Sequence, residues 1–189
     1  MLVSKGNRKI GNDTLIINIT SARDCQSKAL GLCKIQDICY AMKAERQYPA
    51  VLPYRRRQMM YWTTHTADQI AADFRIEINR KSKDPIKYIR VSEAGDFRNQ
   101  SDVVKLFKIA ELLADTGVKI YGYTARVDLD YNNAPLNLAL QGSGFKIHNS
   151  FTAIDKAKVQ PTDIVCPGNC RTCSMCKYNN GLNIKVINH

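Results

Sequence analysis

The sequence contains no run of eighteen apolar residues, so it predicts no membrane-spanning helix and no membrane partner. Residues 1–9 lack the apolar core of a secretory signal. The chain also has no P-loop, no Gly-x-Gly-x-x-Gly fingerprint, no nucleophile-elbow serine and no His-Glu-x-x-His motif. These absences exclude the most recognisable nucleotide-binding, hydrolase and zinc-protease sites, and they predict a cytoplasmic location.

Acidic residues are scarce relative to basic ones. The chain has 17 Asp and Glu against 28 Lys and Arg, which gives a formal net charge of +11. The basic residues cluster at residues 5–9, at Arg55 to Arg57 and at residues 80–87. Such an excess favours an anionic partner, so nucleic acid or a nucleotide is one predicted partner. The alternative is a basic surface that contacts only solvent.

The seven cysteines occur without an export signal, which favours a reducing compartment. In that setting cysteines serve as metal ligands or free thiols, and an odd number suits a disulfide framework poorly. With 189 residues and no linker or internal repeat, the chain is predicted to form a single α/β domain over residues 1–189. Its last part, about residues 160–189, is predicted to be a segment that binds a metal or cluster.

Four cysteines lie within eleven residues near the end of the chain, spaced C-x3-C-x2-C-x2-C: they are Cys166, Cys170, Cys173 and Cys176. Spacers this short let successive thiolates turn inward on one small ion or cluster, as in structural zinc and iron–sulfur sites. Zinc ribbons usually divide their ligands into two distant pairs, so the compact run favours a 4Fe-4S cluster, with zinc as the alternative. The alternatives that involve no metal are two disulfides or four separately buried cysteines.

The other three cysteines, Cys25, Cys33 and Cys39, are spaced C-x7-C-x5-C and follow the first predicted strand. Three thiolates would hold three irons of a second 4Fe-4S cluster and leave the fourth iron open to substrate or cofactor, as an open position does in catalytic zinc sites. Two alternatives remain. These cysteines are core residues, which is common for free cysteine, or one of them joins the C-terminal four.

Strand and helix patterns alternate along the chain. Strands are predicted over residues 14–19, 86–91, 118–123, 145–151 and 182–187, and helices over 39–46, 54–63, 66–81 and 101–116. Residues 136–140 fit either a weak strand or a helical turn. Strand, helix and strand joined by short connections imply a parallel crossover. The predicted fold is therefore a partial (βα) barrel-like or open, mostly parallel sheet with a C-terminal cysteine-rich cluster loop.

Polar residues follow the second and third of these strands. Glu93 and Asp96 follow the second strand. Tyr123 ends the third strand, and Arg126 follows it. The carboxyl ends of parallel strands are where α/β folds place site residues, so these four are the predicted catalytic residues. The alternative for Glu93 and Asp96 is a turn that caps the next helix. His148 is predicted to be a packed histidine and not a ligand.

The order of these features resembles the radical S-adenosylmethionine enzymes. A three-cysteine loop with Tyr40 next to its last cysteine follows the first strand, Ser92 to Asp96 follows the second, and Tyr121 to Thr124 ends the third. The C-x7-C-x5-C spacing differs from the C-x3-C-x2-C of that family, and its Gly-Gly-Glu segment is absent.

This resemblance implies that Cys25, Cys33 and Cys39 hold a cluster that binds S-adenosylmethionine. It also implies that Tyr40 and Glu93 contact that cofactor, with Glu93 near the methionine amino group. The C-terminal four cysteines would then hold an auxiliary cluster, and an electron donor would be a partner.

A second resemblance covers more of the chain, from about residue 25 to the end. Its motifs are Cys39 to Ala41, Tyr48-Pro49, Arg90 to Phe97, Tyr121 to Thr124, Cys166 through Cys176, and Asn188-His189. They are similar to those of a phage protein family known as the gene product eighty-eight family. The resemblance implies a viral or prophage origin, and hence the host cytoplasm as the location, and it carries no activity with it.

Overall fold

A computed structural model describes residues 2–187, in which eight strands form one sheet. The strands are β1 Ser4–Lys5, β2 Thr14–Ile17, β3 Tyr88–Val91, β4 Lys119–Thr124, β5 Leu138–Ser143, β6 Asn149–Ile154, β7 Ile164–Val165 and β8 Asn183–Ile187. The α-helices are α1 Gln26–Ala29, α2 Tyr40–Gln47, α3 Val51–Thr64, α4 Ala67–Ile78 and α5 Gln100–Leu112. Short 3-10 turns occupy Gln36–Ile38, Ala114–Thr116 and Lys156–Lys158.

The strands lie in the order β1-β2-β3-β4-β5-β6-β8-β7, and β1–β2 is antiparallel while the other neighbouring pairs are parallel. This arrangement confirms the predicted α/β class with an open, mostly parallel sheet. Because β2 to β6 lie side by side in chain order, their carboxyl ends meet along one edge. No helix in the described part of the chain is long and apolar enough to cross a bilayer.

One face of the sheet is apolar and carries the helices. Leu15, Ile89, Ile120 and Leu138 lie side by side on β2 to β5 and are almost completely buried. They share one core cluster with α3, α4 and α5, which contribute the buried side chains of Trp62, Phe74 and Leu106. Burying a side chain of this size contributes roughly 1.5–3 kcal/mol, so this layer is the main source of stability.

The opposite face is polar and aromatic, because successive residues of a strand point to opposite sides. Arg90 and Tyr121 are register partners on β3 and β4, and Tyr123 and Gln141 are partners on β4 and β5. Residues 166–178, between β7 and β8, cover this face. Lys177 of that segment is buried, with its Nζ 3.8 Å from the ring centre of Tyr88.

The helices follow the sequence prediction with small shifts at their ends. Thr66 caps α4 in a complete capping box with Gln69, as a helix beginning after Thr66 requires. The helix predicted over residues 101–116 spans Gln100–Leu112, and its N-cap is Asn99 and not a residue of the predicted first turn. Asp102 instead turns inward and accepts a hydrogen bond from Trp62 Nε1 at 2.8 Å.

The predicted strand over residues 145–151 begins only at Asn149, because residues 144–148 form the link between β5 and β6. Parallel strands usually need a connection of a dozen or more residues, so this link is unusually tight. A Cβ on Gly142 would lie 2.1 Å from the carbonyl oxygen of Phe145, which restricts that position to glycine. The ambiguous residues 136–140 contribute the start of β5.

His148 lies in this link and packs as predicted. Its Nδ1 accepts a hydrogen bond from the backbone N–H of Leu140 at 2.9 Å, and burial lowers its pKa below the ordinary 6.5. The unfolded chain therefore takes up a proton before the folded one as pH falls.

We expect the free energy of unfolding to decrease as pH falls below 6.5 and to be constant, for this group, above it. Urea unfolding of the wild-type chain and of His148→Gln across this range measures the effect, since glutamine keeps an acceptor but does not titrate. Equal pH dependence in the two proteins would contradict the assignment.

Candidate cysteine-rich functional site

The three-cysteine group lies in the loop between β2 and α2, at the carboxyl edge of the sheet. Cys25 precedes α1, Cys39 precedes α2, and Cys33 lies between them. All are half-buried free thiols. Burial raises the pKa of Cys25 and of Cys33, and the proximity of Cys25 and Cys39 adds to the rise at Cys33. The fold therefore brings these three sulfurs into one neighbourhood, which also contains Asp96.

The beginning of this loop is held by Glu45 of α2, a residue that the sequence prediction missed. Its carboxylate accepts hydrogen bonds from the backbone N–H groups of Ala22 at 2.7 Å and Arg23 at 3.0 Å. It also pairs with Arg55 of α3 at 3.0 Å, with the Arg55 and Glu45 side chains 7% and 2% exposed. Arg55 is thus buried, which corrects its assignment to a basic surface patch. The pair joins the cysteine loop to two helices.

The C-terminal group lines a cavity on the polar face of the sheet. Cys166, Cys170, Cys173 and Cys176 form its wall together with Tyr121, Tyr123 and the neighbouring loop residues. Burial raises the pKa of Cys176 to about 11, and the three other cysteines add to this, while a hydrogen bond from Tyr123 opposes it. All four sulfurs are free thiols, so the structure contains no disulfide among them.

Backbone contacts fix this cysteine loop at three points. Cys166 N donates to the carbonyl of Lys185 at 2.8 Å, and Cys170 N donates to the carbonyl of Lys9 at 2.9 Å. Gln141 Nε2 on β5 donates to the carbonyl of Cys176 at 2.8 Å. The loop therefore bridges from β8 across the sheet to the segment before β2.

The residues present suit a thiolate-bound centre in type and number, but the loop needs to open to admit one. Within residues 2–187, no three His, Cys, Asp or Glu side chains are arranged so as to hold a metal ion. The enclosed space is about 20 Å³, which is room for about one water molecule. Gly168, at φ 72°, has no neighbour within 4 Å of where a Cβ would lie, so space exists around this turn.

Asp96 and Arg126, two of the predicted catalytic residues, hold the carboxyl edge together. The Asp96 carboxylate accepts from the Thr124 hydroxyl at 2.6 Å and from the Ala125 N–H at 2.8 Å, and burial raises its pKa. Arg126 donates to the carbonyls of Phe97 and Arg98 and pairs with Asp128. Their hydrogen bonds are with protein groups, so both position the ends of β3 and β4.

Glu93 and Tyr40 lie together beside the three-cysteine group. The Tyr40 hydroxyl donates to the carbonyl of Glu93 at 2.5 Å, and the Glu93 carboxylate accepts from Asn7 Nδ2 at 3.3 Å. Arg55 NH2 lies 4.0 Å from the same carboxylate. The Glu93 side chain is 22% exposed and Tyr40 as a residue is 57% exposed, but burial raises the pKa of the Tyr40 hydroxyl, so a ligand reaches the Glu93 carboxylate and the Tyr40 ring.

Arg90 connects the two cysteine groups. Its NH2 donates to the hydroxyl of Tyr40 at 3.4 Å, next to Cys39 in the chain. Its guanidinium lies 5.3 Å from the ring centre of Tyr123, whose hydroxyl contacts Cys176. Arg90 was missed as a site residue, although a charged side chain within the apolar alternation of residues 86–91 is the signal that would have found it.

The remaining basic clusters lie at the surface. Lys81, Lys83 and Lys87 are exposed, as are Arg8 and Lys9. Arg56 is exposed too, but it is paired with Asp24 at 2.8 Å. The predicted anionic partner would therefore meet the segments before β2 and β3.

The model of the family described as gene product 88 matches residues 1–169. The chain belongs to the gene product 88 family. This confirms the resemblance to that phage family. The family match includes the three-cysteine group and Cys166, and it ends just before Cys170. The motif residues Asn188 and His189 lie outside both the family match and the described residues.

No curated protein and no solved structure gives a significant match to the chain. The resemblance to radical S-adenosylmethionine enzymes is not carried by these comparisons, and it stays a prediction.

Proposed function

We propose that this member of the gene product 88 family is an iron–sulfur protein and acts as a radical-type redox enzyme. The three-cysteine group would hold a 4Fe-4S cluster that takes S-adenosylmethionine, and the C-terminal group would hold a second cluster. The observation that carries this proposal is the arrangement of seven free thiols in two groups that are linked through Tyr40, Arg90 and Tyr123.

When bound, the clusters would supply one electron to S-adenosylmethionine. Its carbon–sulfur bond would then break to give methionine and a carbon radical, which would take a hydrogen atom from substrate. The rest is done by this chain. Tyr40 and Glu93 lie beside the three-cysteine group with exposed surface, so they are suited to bind the amino group of the cofactor. Asp96 and Arg126 keep the strand ends at fixed spacing.

The site also has to keep water away from a reactive radical. Tyr121 is buried, and Tyr123 lies on the polar face between Arg90 and Cys176. Phe151 packs edge-on against Tyr123 with ring centres 5.4 Å apart. These rings form an apolar wall next to the polar groups, which suits the sequestration of a reactive species.

Purification without oxygen tests the proposal. We expect a brown protein with iron and sulfide in equal amounts, which after reduction cleaves S-adenosylmethionine to methionine and deoxyadenosine. Glu93→Gln should reduce the cleavage about tenfold or more, because the amide keeps an acceptor but loses the negative charge that would pair with the amino group of the cofactor. Glu111→Gln, a change to an exposed helical glutamate, is the control. Iron–sulfur protein without cleavage would remove the radical activity and leave the cluster assignment.

A metal-stabilised nucleic-acid-binding protein is the second candidate, favoured by the exposed Lys81, Lys83 and Lys87. In that case metal binding would contribute folding energy, and the lysines would contact phosphates. A colourless protein with bound zinc, and with nucleic-acid affinity that falls steeply with salt, would support this function over the first.

A further inference from the structure

Four buried polar atoms on the polar face of the sheet lack a hydrogen-bond partner. In the described part of the chain, five buried side-chain polar atoms are unpartnered: Arg90 Nε, Ser92 Oγ, Tyr121 OH, Asn137 Oδ1 and Gln141 Oε1. An unpartnered buried polar group destabilises the fold, so such atoms are rare in native proteins. Their concentration in one place therefore requires an explanation.

The sheet register places these atoms close together. Arg90 and Tyr121 are register partners, and Tyr121 lies two residues from Tyr123, the partner of Gln141. Ser92 follows Arg90 by two residues and lies one residue beyond the end of β3. Asn137 is separate, since its side chain donates to the carbonyl of Ala110 on the helical side.

The Ser92 backbone is also unusual, with φ at 57° in a residue that is not glycine. This left-handed conformation is strained for a residue with a side chain, and such residues are concentrated at functional sites. It lies where β3 turns away from the sheet, directly before Glu93. Strain and unpartnered groups thus coincide at one end of the polar face.

We propose that Arg90, Ser92, Tyr121 and Gln141 form a binding site for a small organic anion, bearing a carboxylate or phosphate group, on the sheet face between the two cysteine groups. The guanidinium Nε of Arg90 and the hydroxyls of Ser92 and Tyr121 donate to the anion. Gln141 Oε1 accepts from an N–H or O–H on the same molecule, because its Nε2 is already bonded to the carbonyl of Cys176. The pairing of one fixed cation with hydroxyl donors selects an anion over a neutral ligand.

The charge around Arg90 supports this ligand class. Arg90 contacts the hydroxyl of Tyr40 and the ring of Tyr123, and the Glu93 carboxylate contributes to the electrostatic field at its guanidinium. Glu93 is itself beside Arg55, at 4.0 Å. Because Arg55 is already paired with Glu45 at 3.0 Å, Arg90 is the guanidinium group that an incoming anion meets without a close carboxylate partner among the described residues. Because the enclosed space here holds about one water molecule, the anion enters when residues 166–178 open. It would then lie next to both groups of sulfurs, in the position of a substrate for the redox activity proposed above.

Inorganic phosphate and succinate, each compared with chloride at equal ionic strength, test the site on the full chain. We expect one of the two probes to raise the thermal unfolding midpoint saturably, and the effective probe identifies the anionic group. Arg90→Gln should weaken this binding about tenfold or more, and Tyr121→Phe, which removes only the unpartnered hydroxyl, about threefold to tenfold. Arg57→Gln should bind like the wild type, because Arg57 is an exposed arginine over a tyrosine ring at 5.6 Å.

The controls separate a built site from general attraction to a protein of charge +11. Equal loss in Arg57→Gln and Arg90→Gln, or no saturable shift with either probe, would overturn the proposal. If Arg90→Gln does not fold, wild-type affinity in Tyr121→Phe would overturn it. The measurement needs no iron, so its failure leaves the cluster assignment intact, and a colourless protein that binds the probe would support the anion site alone.

Discussion

Reconstitution of the intact chain with iron and sulfide under anaerobic conditions is expected to give about eight irons per chain, four for each cysteine group. The double variant Cys173→Ala and Cys176→Ala should retain about four, because the three-cysteine group is unchanged and lies at the other side of Arg90. The double variant Cys25→Ala and Cys39→Ala should also retain about four. Iron and sulfide analysis with visible absorption spectra measures both.

Alanine is chosen because a serine hydroxyl can replace a thiolate as a ligand. Ser174→Ala is the control for the C-terminal loop, since Ser174 contributes its backbone carbonyl and not its side chain to the contact with Lys177 N. If either double variant loses all of its iron, the two cysteine groups form one shared centre. Eight irons in every variant would mean that the cysteines are not the ligands.

The change Glu45→Ala is expected to destabilise the fold by about 3–5 kcal/mol, because it leaves Arg55 buried without its partner. It also leaves the N–H groups of Ala22 and Arg23 without acceptors, at the start of the three-cysteine loop. Urea unfolding measures the free energy. Iron content after reconstitution should fall at the three-cysteine group more than at the C-terminal group.

Glu111→Ala is the matched control, because Glu111 is also a helical glutamate in an ion pair but is 57% exposed. Exposed pairs contribute about 0–1 kcal/mol. Glu45→Gln should lie between the two, since the amide oxygen still accepts one backbone N–H. If Glu45→Ala costs no more than Glu111→Ala, the buried pair does not hold the loop.

Local patterns in the sequence predict the elements that build the sheet. The run of residues 14–17 is buried on both faces of the sheet, as a short continuous apolar run predicts. The apolar stripe of α5 is buried on one face, which its helical period predicts. The grouping of Cys166 to Cys176 could also be predicted, because short spacers confine the sulfurs whatever the fold around them. The fold class and the grouping of the cysteines can thus be predicted from residues that are close together in the sequence.

Features that depend on contacts between distant segments could not be predicted in the same way. Arg55, Arg56 and Arg57 read as one basic patch, yet successive helical residues point about 100° apart, so Arg55 faces inward to Glu45 while its neighbours face outward. Likewise, the link at residues 144–148 depends on Gly142 meeting Phe145, a contact formed only after β5 and β6 pair. Such features require tertiary contacts between segments whose local sequence is ambiguous.

The hydrogen bond from Cys170 N to the carbonyl of Lys9 joins two segments that are far apart in the chain, which affects the order in which the fold forms. Strands β2 to β6 are translated before residues 166–176, and within residues 2–187 the apolar core that the helices form with the sheet contains no residue of that segment. Contacts so distant along the chain form late, because a long loop must close first. We therefore expect the apolar face of the sheet to pack first and residues 166–178 to cover the polar face afterwards.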